Sequence, residues 1–274
     1  MDLSIIILNY HSRSKLINCL DSISRADLGN RRYEIIVVDI AGPGVQSDII
    51  DLKTIYPDMR LIVSPRNLGM GSGNNLGIKE ATGEFVLILN PDTVIKDKAM
   101  LTLLDYLKAN PVVGLVGPKL FYPDGSLQSS CARFPHFFTP ILRRTFLGEY
   151  FRAARDSFTM NDFDHDSIAP VDWLMGSCLM FRRQLALKDG RSFAPLFDER
   201  YFMYFEDTDL CHQIWENSFR VIYDPEAVVV HDHQRQSAEY PWYFAVFLSS
   251  LTRWHIVSWL KYFAKWGFKN VSYS

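Results

Sequence analysis

The sequence predicts an α/β fold, a mainly parallel sheet covered by helices on both faces with a helical extension at its C-terminal end. Short apolar runs rich in β-branched residues alternate with helix-length amphipathic segments through the first half, as a sheet buried on both faces requires. The residues that follow those runs are polar and few. From Tyr240 onward the composition changes, with no Asp or Glu. At 274 residues and 48% hydrophobic, the chain can bury a full core.

Taken in order, strands are expected at Leu3–Leu8, Tyr33–Val38, Arg60–Val63, Glu84–Leu89 and Val112–Val116, with helices between them. In such sheets the ligand crevice opens at the carboxyl ends of the strands, which gives weight to the residues just beyond them. Those are Asn9-Tyr10, Asp39, Ser64-Pro65-Arg66-Asn67 and Asn90-Pro91-Asp92. The second half is less regular. A passage rich in Pro and Phe runs from Phe121 to Phe158, and the apolar segment Val171–Phe181 reads as a further strand. A helix is expected from the acidic pair Glu206-Asp207 to about Trp215, then strands at Arg220–Tyr223 and Val228–His231.

The formal net charge is -2, without the basic excess that nucleic-acid binding needs. Cys19, Cys131, Cys178 and Cys211 are far apart and form no C-x-x-C pair, so neither a zinc site nor a disulfide framework is expected, and a reducing cytoplasm fits. Leu3–Leu8 follows the first residues without a basic region or a small-residue cleavage site, which argues against a signal peptide.

Five places can carry chemistry. Glu206-Asp207 lies between the aromatic wall Tyr201-Phe202-Met203-Tyr204-Phe205 and the predicted helix. A carboxylate there, its pKa raised by partial burial, can take a proton from a sugar hydroxyl; the other reading is an acidic helix start. Asp39 closes a strand where it can accept from the imide N–H of a pyrimidine, or be a solvated strand end. Gly69, Gly71 and Gly73, with Asn74 and Asn75, offer close backbone approach to a phosphate or ribose, or only a turn. The turn after the first strand, Asn9-Tyr10-His11, has no glycine, so a dinucleotide-binding oxidoreductase is excluded. Asn90-Pro91-Asp92-Thr93 presents Asp92 to Mg²⁺ or Mn²⁺, or forms an Asx-Pro turn. His231 ends an apolar run, where its imidazole can complete the metal shell while Arg235 faces phosphate; a structural histidine is the alternative.

Together these residues resemble the inverting glycosyltransferases of family 2, most closely their bacterial rhamnosyltransferase branch. The carriers are Ile5–Tyr10, Val37-Val38-Asp39, Asn67-Leu68-Gly69 with Gly71, Gly73, Asn74 and Asn75, Leu89–Asp92, Val171–Ser177, Phe197–Asp207 and His231. The resemblance implies a GT-A fold over residues 1–238, with 1–120 binding the nucleotide sugar and 121–238 the acceptor and catalytic half, followed by a tail at 239–274. It implies that Asp39 reads the base, Asp92 binds Mg²⁺ or Mn²⁺, Asp207 is the general base beside Glu206, and His231 assists the metal or diphosphate. Asn9, Tyr10, Asn67, Gly69, Gly71, Asn74, Asn90 and Arg235 would complete the donor site. Asp172, Trp173, Gly176, Ser177 and Tyr204 would form the acceptor site, with Trp173 and Tyr204 stacking on sugar rings or packing in the core. Two departures stand out: Asn90 replaces the first acid of the D-x-D pair, and Ile40-Ala41-Gly42 replaces the polar residues frequent after Asp39.

The implied reaction is single displacement from dTDP-β-L-rhamnose onto a glycan or polyprenyl-diphosphate-linked acceptor in cell-surface polysaccharide synthesis, such as O-antigen. Donors such as UDP-hexose or UDP-N-acetylhexosamine, and a non-catalytic sugar-nucleotide-binding subunit, are the alternatives. A nucleotidyltransferase would carry a glycine-rich basic loop behind its first strand, which Asn9-Tyr10-His11-Ser12 does not supply.

The tail contains Trp242, Trp254, Trp259 and Trp266, and its charges are Arg253, Lys261, Lys265 and Lys269. Its uncharged run Pro241–Thr252 is shorter than the ~20 residues needed to span a bilayer. On a helical wheel Ile256, Trp259, Leu260 and Phe263 face away from Ser258, Lys261, Lys265 and Lys269, which suits the headgroup boundary of an anionic membrane. On that reading the protein is cytoplasmic and peripheral on the inner membrane face. A helix packed on the catalytic domain, or on a homodimer partner, is the alternative.

Overall fold

The computed structural model describes residues 1–42, 47–144, 147–151, 156, 158–160, 163–187, 189–232 and 249–267. The main strands are β1 (Leu3–Asn9), β2 (Tyr33–Asp39), β3 (Met59–Val63), β4 (Phe85–Leu89), β5 (Thr93–Ile95), β6 (Val113–Phe121), β7 (Cys178–Arg182) and β8 (Arg220–His231). The main helices are α1 (Arg13–Arg25), α2 (Met70–Glu80), α3 (Ala99–Ala109), α4 (Glu206–Glu216) and α5 (Ser250–Trp266).

One mixed sheet organises the fold, in the order β3-β2-β1-β4-β7-β6-β8-β5, with the short strands Leu127–Gln128 and Ala169–Pro170 paired at its side. The half built from β3, β2, β1 and β4 is parallel. Its strands are apolar because both faces are covered: Ile5 and Ile7 pack with Leu16, Leu20 and Leu103 on one side, Ile6 and Leu8 with Ile78 and Leu179 on the other. After β1 the chain moves outward to β2 and β3, then returns to β4 on β1's other flank. This reversal opens a crevice at the carboxyl ends of β1 and β4, where Asn9, Asp39 and Asn90–Asp92 stand.

The second half departs from the parallel pattern. The segment Val171–Phe181 is not one strand. Trp173-Leu174 pairs with Cys131-Ala132 in a separate two-stranded sheet, the chain turns, and β7 runs antiparallel to β4 and β6. The turn brings Ser177 to the crevice, where its carbonyl accepts from the Asn90 N–H at 2.9 Å. The two strands expected at Arg220–Tyr223 and Val228–His231 are one, carried through Asp224-Pro225-Glu226 by a register shift against β6.

The helical extension forms, but its lysines point inward. Lys261 Nζ donates to the Arg200 carbonyl at 2.6 Å, Lys265 Nζ lies 2.9 Å from Asp198 Oδ2, and Ser258 is buried. Packing on the catalytic half therefore replaces the membrane-facing lysine stripe expected from the wheel. Val257 and Leu260 face outward instead, Leu260 with half of its surface exposed. Lys269 and Trp242 lie outside the described residues. Among the described residues, no helix is long and apolar enough to cross a membrane.

Candidate active site

A cavity of about 200 Å³ lies at the carboxyl edge of the sheet, lined by Asn74, Asn90, Gly176, Ser177, Tyr204, Glu206, Asp207 and His231, with Met70, Met175, Phe197 and Met203. It joins groups that the sequence separates by more than a hundred residues. The walls are mostly apolar, and its polar atoms are few and aimed inward, the make-up of a ligand pocket.

Glu206 and Asp207 open α4. The turn before them is strained: Tyr204 and Phe205 both have positive φ, 68° and 67°. For residues with a Cβ this left-handed conformation costs roughly 1–2 kcal/mol each, so surrounding contacts must hold it. Asp207 Oδ2 accepts from the Gly176 N–H at 2.9 Å and Oδ1 from the Thr208 N–H at 2.7 Å. The Trp173 indole also favours the charged form, without a fully formed hydrogen bond. Burial is nevertheless the largest influence and pushes the Asp207 carboxyl above its ordinary value. Glu206 is pushed up too, by burial first and then by the Asp207 charge, and its Oε2 is buried with no hydrogen bond. A buried carboxylate at a cavity wall, its pKa raised by burial, has the properties of a general base.

Across the cavity, His231 ends β8 beside β5. Its Nδ1 lies 2.7 Å from Gln128 Oε1, a contact that favours a proton on Nδ1; in the neutral ring Nε2 then presents a lone pair toward Asp92. Nε2 stands 3.3 Å from Asp92 Oδ1, a buried atom that accepts no hydrogen bond. Two acceptors this close repel unless a proton or cation lies between them. The pair therefore fits a divalent ion, which Asp92 and His231 would hold and Gln128 would orient. Lys15, on α1, lies 3.8 Å from Asp92 Oδ2 and 2.9 Å from Asp232 Oδ2. Burial raises the Asp92 carboxyl, but a protonated His231, and then Lys15, outweigh it and hold it below the usual value; a cation between Asp92 and His231 would take the place of that proton. Among the described residues, no group of three or more His, Cys, Asp or Glu could hold a metal. Asp92 and His231 would thus leave most positions on an ion for substrate oxygens and water.

At the donor end, Asp39 is fully buried, receives the Asn9 amide at 3.0 Å through Oδ1, and leaves Oδ2 with no hydrogen bond. Tyr10 is half exposed beside it. Asn74 lines the cavity with a buried, unbonded Oδ1, and Asn67 caps the Gly69 N–H at 2.9 Å.

Several expected contacts have other occupants. A Cβ on Gly69, at φ +77°, would stand 2.1 Å from the Phe202 carbonyl oxygen, and one on Gly71 would press on Phe197. These glycines let the segment before Glu206 lie against the start of α2, which corrects the reading of a phosphate cradle. Asp172 is fully buried and accepts from the Phe134 N–H at 3.0 Å, so it anchors the chain under the site and does not line the cavity. Trp173 is half-buried beside Asp207, while Gly176, Ser177 and Tyr204 line the cavity wall. Arg235 lies outside the described residues. Lys15 and Gln128 join the site without any local signal: nothing in the sequence marks a helix lysine or a short-strand glutamine as a neighbour of Asp92 and His231.

Residues 4–169 match the profile described as Glycosyl transferase family 2. An N-acetylglucosaminyl-diphospho-decaprenol L-rhamnosyltransferase of Mycobacterium tuberculosis is 30% identical over 200 residues, covering 68% of this chain and 62% of the relative. The rhamnosyltransferase WbbL of Escherichia coli K12 is 24% identical over 277 residues, covering 95% and 92%. Among solved structures, the mannosyltransferase PcManGT of Pyrobaculum calidifontis, in complex with GDP-Man and Mn²⁺, superposes with a TM-score of 0.59 at 20% identity, over 98% of this chain and 65% of that one. S. aureus TarS 1-349 with UDP gives 0.53 at 17% identity, over 84% and 60%. The sheet with its reversal between β1 and β4 is accordingly the GT-A architecture, and the chain belongs to glycosyl transferase family 2.

Proposed function

We propose that this chain is an inverting glycosyltransferase that moves L-rhamnose from dTDP-β-L-rhamnose to a hydroxyl of a polyprenyl-diphosphate-linked glycan in bacterial cell-surface polysaccharide synthesis. The observation that carries the transfer reaction is the placement of Asp207 and His231 on the walls of one cavity, with Asp92 beside His231. The rhamnosyl group is supported by the names of both curated relatives, and the lipid-linked acceptor by that of the Mycobacterium tuberculosis relative.

In this reading the donor lies across the ends of β1, β2 and β4, and Asp39 accepts from the pyrimidine imide N–H through its unbonded Oδ2. Asn74 and Asn90 line the side of the cavity where the sugar and diphosphate meet. Asp92 and His231 would hold a divalent ion, which when bound would supply charge neutralisation for the diphosphate. Asp207 removes the proton of the acceptor hydroxyl, whose oxygen attacks the anomeric carbon from the face opposite the diphosphate. The new C–O bond forms as the bond to the diphosphate oxygen breaks, and that oxygen leaves with the electron pair. The anomeric configuration inverts, and an α-linked product results.

The deciding experiment incubates the protein with dTDP-rhamnose, UDP-glucose or UDP-N-acetylglucosamine, Mg²⁺ and an N-acetylglucosaminyl-diphosphoprenol acceptor, and measures nucleoside diphosphate release. Acceptor-dependent release of dTDP supports the proposal, and release from a UDP-sugar moves the donor assignment. Binding without release by any donor overturns catalysis, and pyrophosphate release indicates nucleotidyl transfer.

A further inference from the structure

We propose that α5 is a working part of the catalytic site, and that Lys265 and Trp266 are positioning residues that hold Asp207 in place through Asp209. The proposal rests on the reading of Asp207 as the base. It assigns a role to a helix outside the 4–169 region that marks the family.

Asp209 lies two residues beyond Asp207 on α4 and is fully buried. Four side chains converge on its carboxylate: Tyr201 Oη at 3.2 Å, Gln213 Nε2 at 2.7 Å, Lys265 Nζ at 2.8 Å and Trp266 Nε1 at 2.6 Å. The last two come from α5. Lys265 supplies the balancing positive charge, since a carboxylate is retained in such a place only when paired and hydrogen-bonded.

The same helix grips the strained segment before Glu206. Ser258 Oγ donates to the Met203 carbonyl at 2.8 Å, and Trp254 stacks on Phe202 with ring centroids 4.5 Å apart. His255 meets Tyr204 and Phe205 at 5.1 and 5.4 Å, and Tyr262 meets Phe205 at 5.4 Å. Tyr204 and Phe205 are the residues of this turn with positive φ, so α5 furnishes contacts that keep the turn from relaxing. The turn and Asp209 bracket Glu206 and Asp207. A shift of either end turns the Asp207 carboxylate away from the Gly176 and Thr208 N–H groups and from the cavity.

The test compares Lys265→Met, Lys265→Arg and Trp266→Phe in the full chain. Misplacing a catalytic group by about 1 Å costs on the order of 10²-fold, so Lys265→Met is expected to lower kcat by about 10–100-fold. The Kd for dTDP with Mg²⁺ should stay within about twofold of wild type, because these α5 contacts fall on residues 201–209, and Lys265→Arg should restore most of kcat. Independently of activity, hydrogen exchange should quicken over residues 201–209 and at the Gly176 amide, with β1 and β4 unchanged. A folded Lys265→Met protein with wild-type exchange in that segment, or with wild-type kcat, overturns the proposal. If Lys265→Met does not fold, Trp266→Phe, which removes one donor to Asp209, takes its place: lowered kcat with quickened exchange supports the proposal, and wild-type values of either overturn it. Quickened exchange in a chain that shows no transferase activity with any donor leaves α5's hold on the segment standing and removes the reading of Asp207 as a base.

Discussion

His231 Nε2 and Asp92 Oδ1 stand 3.3 Å apart, and the other ring nitrogen of His231 is engaged by Gln128 at 2.7 Å. Gln128 thus decides which atom His231 offers. Turnover should be lost in chelator and restored by Mg²⁺ or Mn²⁺, with little Mn²⁺ bound before donor is added. Gln128→Ala should raise the metal concentration for half-maximal rate by about 10–100-fold, as loss of a group orienting a metal ligand does. Asp92→Ala should be more severe, and His231→Ala should act in the same direction as Asp92→Ala but less strongly. Mn²⁺ electron paramagnetic resonance titration, with and without dTDP, measures this apart from turnover, and full activity after exhaustive chelation would refute the metal site.

Asp207→Asn keeps the size of the side chain and an acceptor for one of the two backbone N–H groups, but cannot take a proton. Turnover should fall by about 10²–10⁴-fold while dTDP binding is retained. Calorimetric binding beside initial rates separates these effects, and equal turnover in the two proteins rules out this base.

The raised carboxyls set the pH behaviour. Asp207 must be ionised to act, and burial lifts its pKa, so kcat/KM should rise with pH through a limb placed above the usual carboxylate range. For stability the sign is opposite. A native carboxyl with a raised pKa holds its proton longer than the unfolded chain does, so Glu206 contributes stability at low pH that is lost as pH rises through its folded pKa. Glu206→Gln should therefore raise Tm in alkaline buffer, by about 2–4 °C for each kcal/mol recovered, and leave it unchanged below the unfolded pKa. A uniform Tm shift at all pH values contradicts this.

Gly69→Ala places a Cβ 2.1 Å from the Phe202 carbonyl oxygen, whereas at Gly125, also of positive φ, no atom lies within 4 Å. Both lose the conformational ease of glycine, roughly 1 kcal/mol. Only Gly69→Ala must also displace the segment leading to Glu206, so it should lower Tm further and depress kcat, and Gly125→Ala should keep wild-type kcat. Thermal melts and initial rates of the two proteins make the comparison.

The parallel half was legible because sheets buried on both faces demand continuous apolar strands; β1, β2, β3 and β4 stand within a residue of their expected limits. The positions of Asn9, Asp39 and Asp92 at or just beyond the ends of those strands were legible for the same reason. The break between Trp173-Leu174 and β7 was not, since the run Val171–Phe181 is mostly apolar and its turn at Gly176-Ser177 is fixed by Asp207 and Asn90, far away in sequence. The glycines after Asn67 looked like a ligand loop because sequence shows the missing side chain and not the carbonyl that fills its place. The wheel set the lysines of α5 opposite Ile256, Trp259, Leu260 and Phe263, yet Phe263 is buried and Leu260 exposed. It could not show that Asp198 and Asp209 wait beneath Lys265.

The pairing of Lys265 with Asp209 also bears on how such chains can be recombined. A chimera that takes residues 198–209 from one relative and the final helix from another would join a buried acid to a mismatched cap, and its defect would resemble a damaged active site although every cavity-lining residue was intact. In this chain segment and helix are packed as one unit, and an exchange that cuts between them separates Asp198 and Asp209 from Lys265.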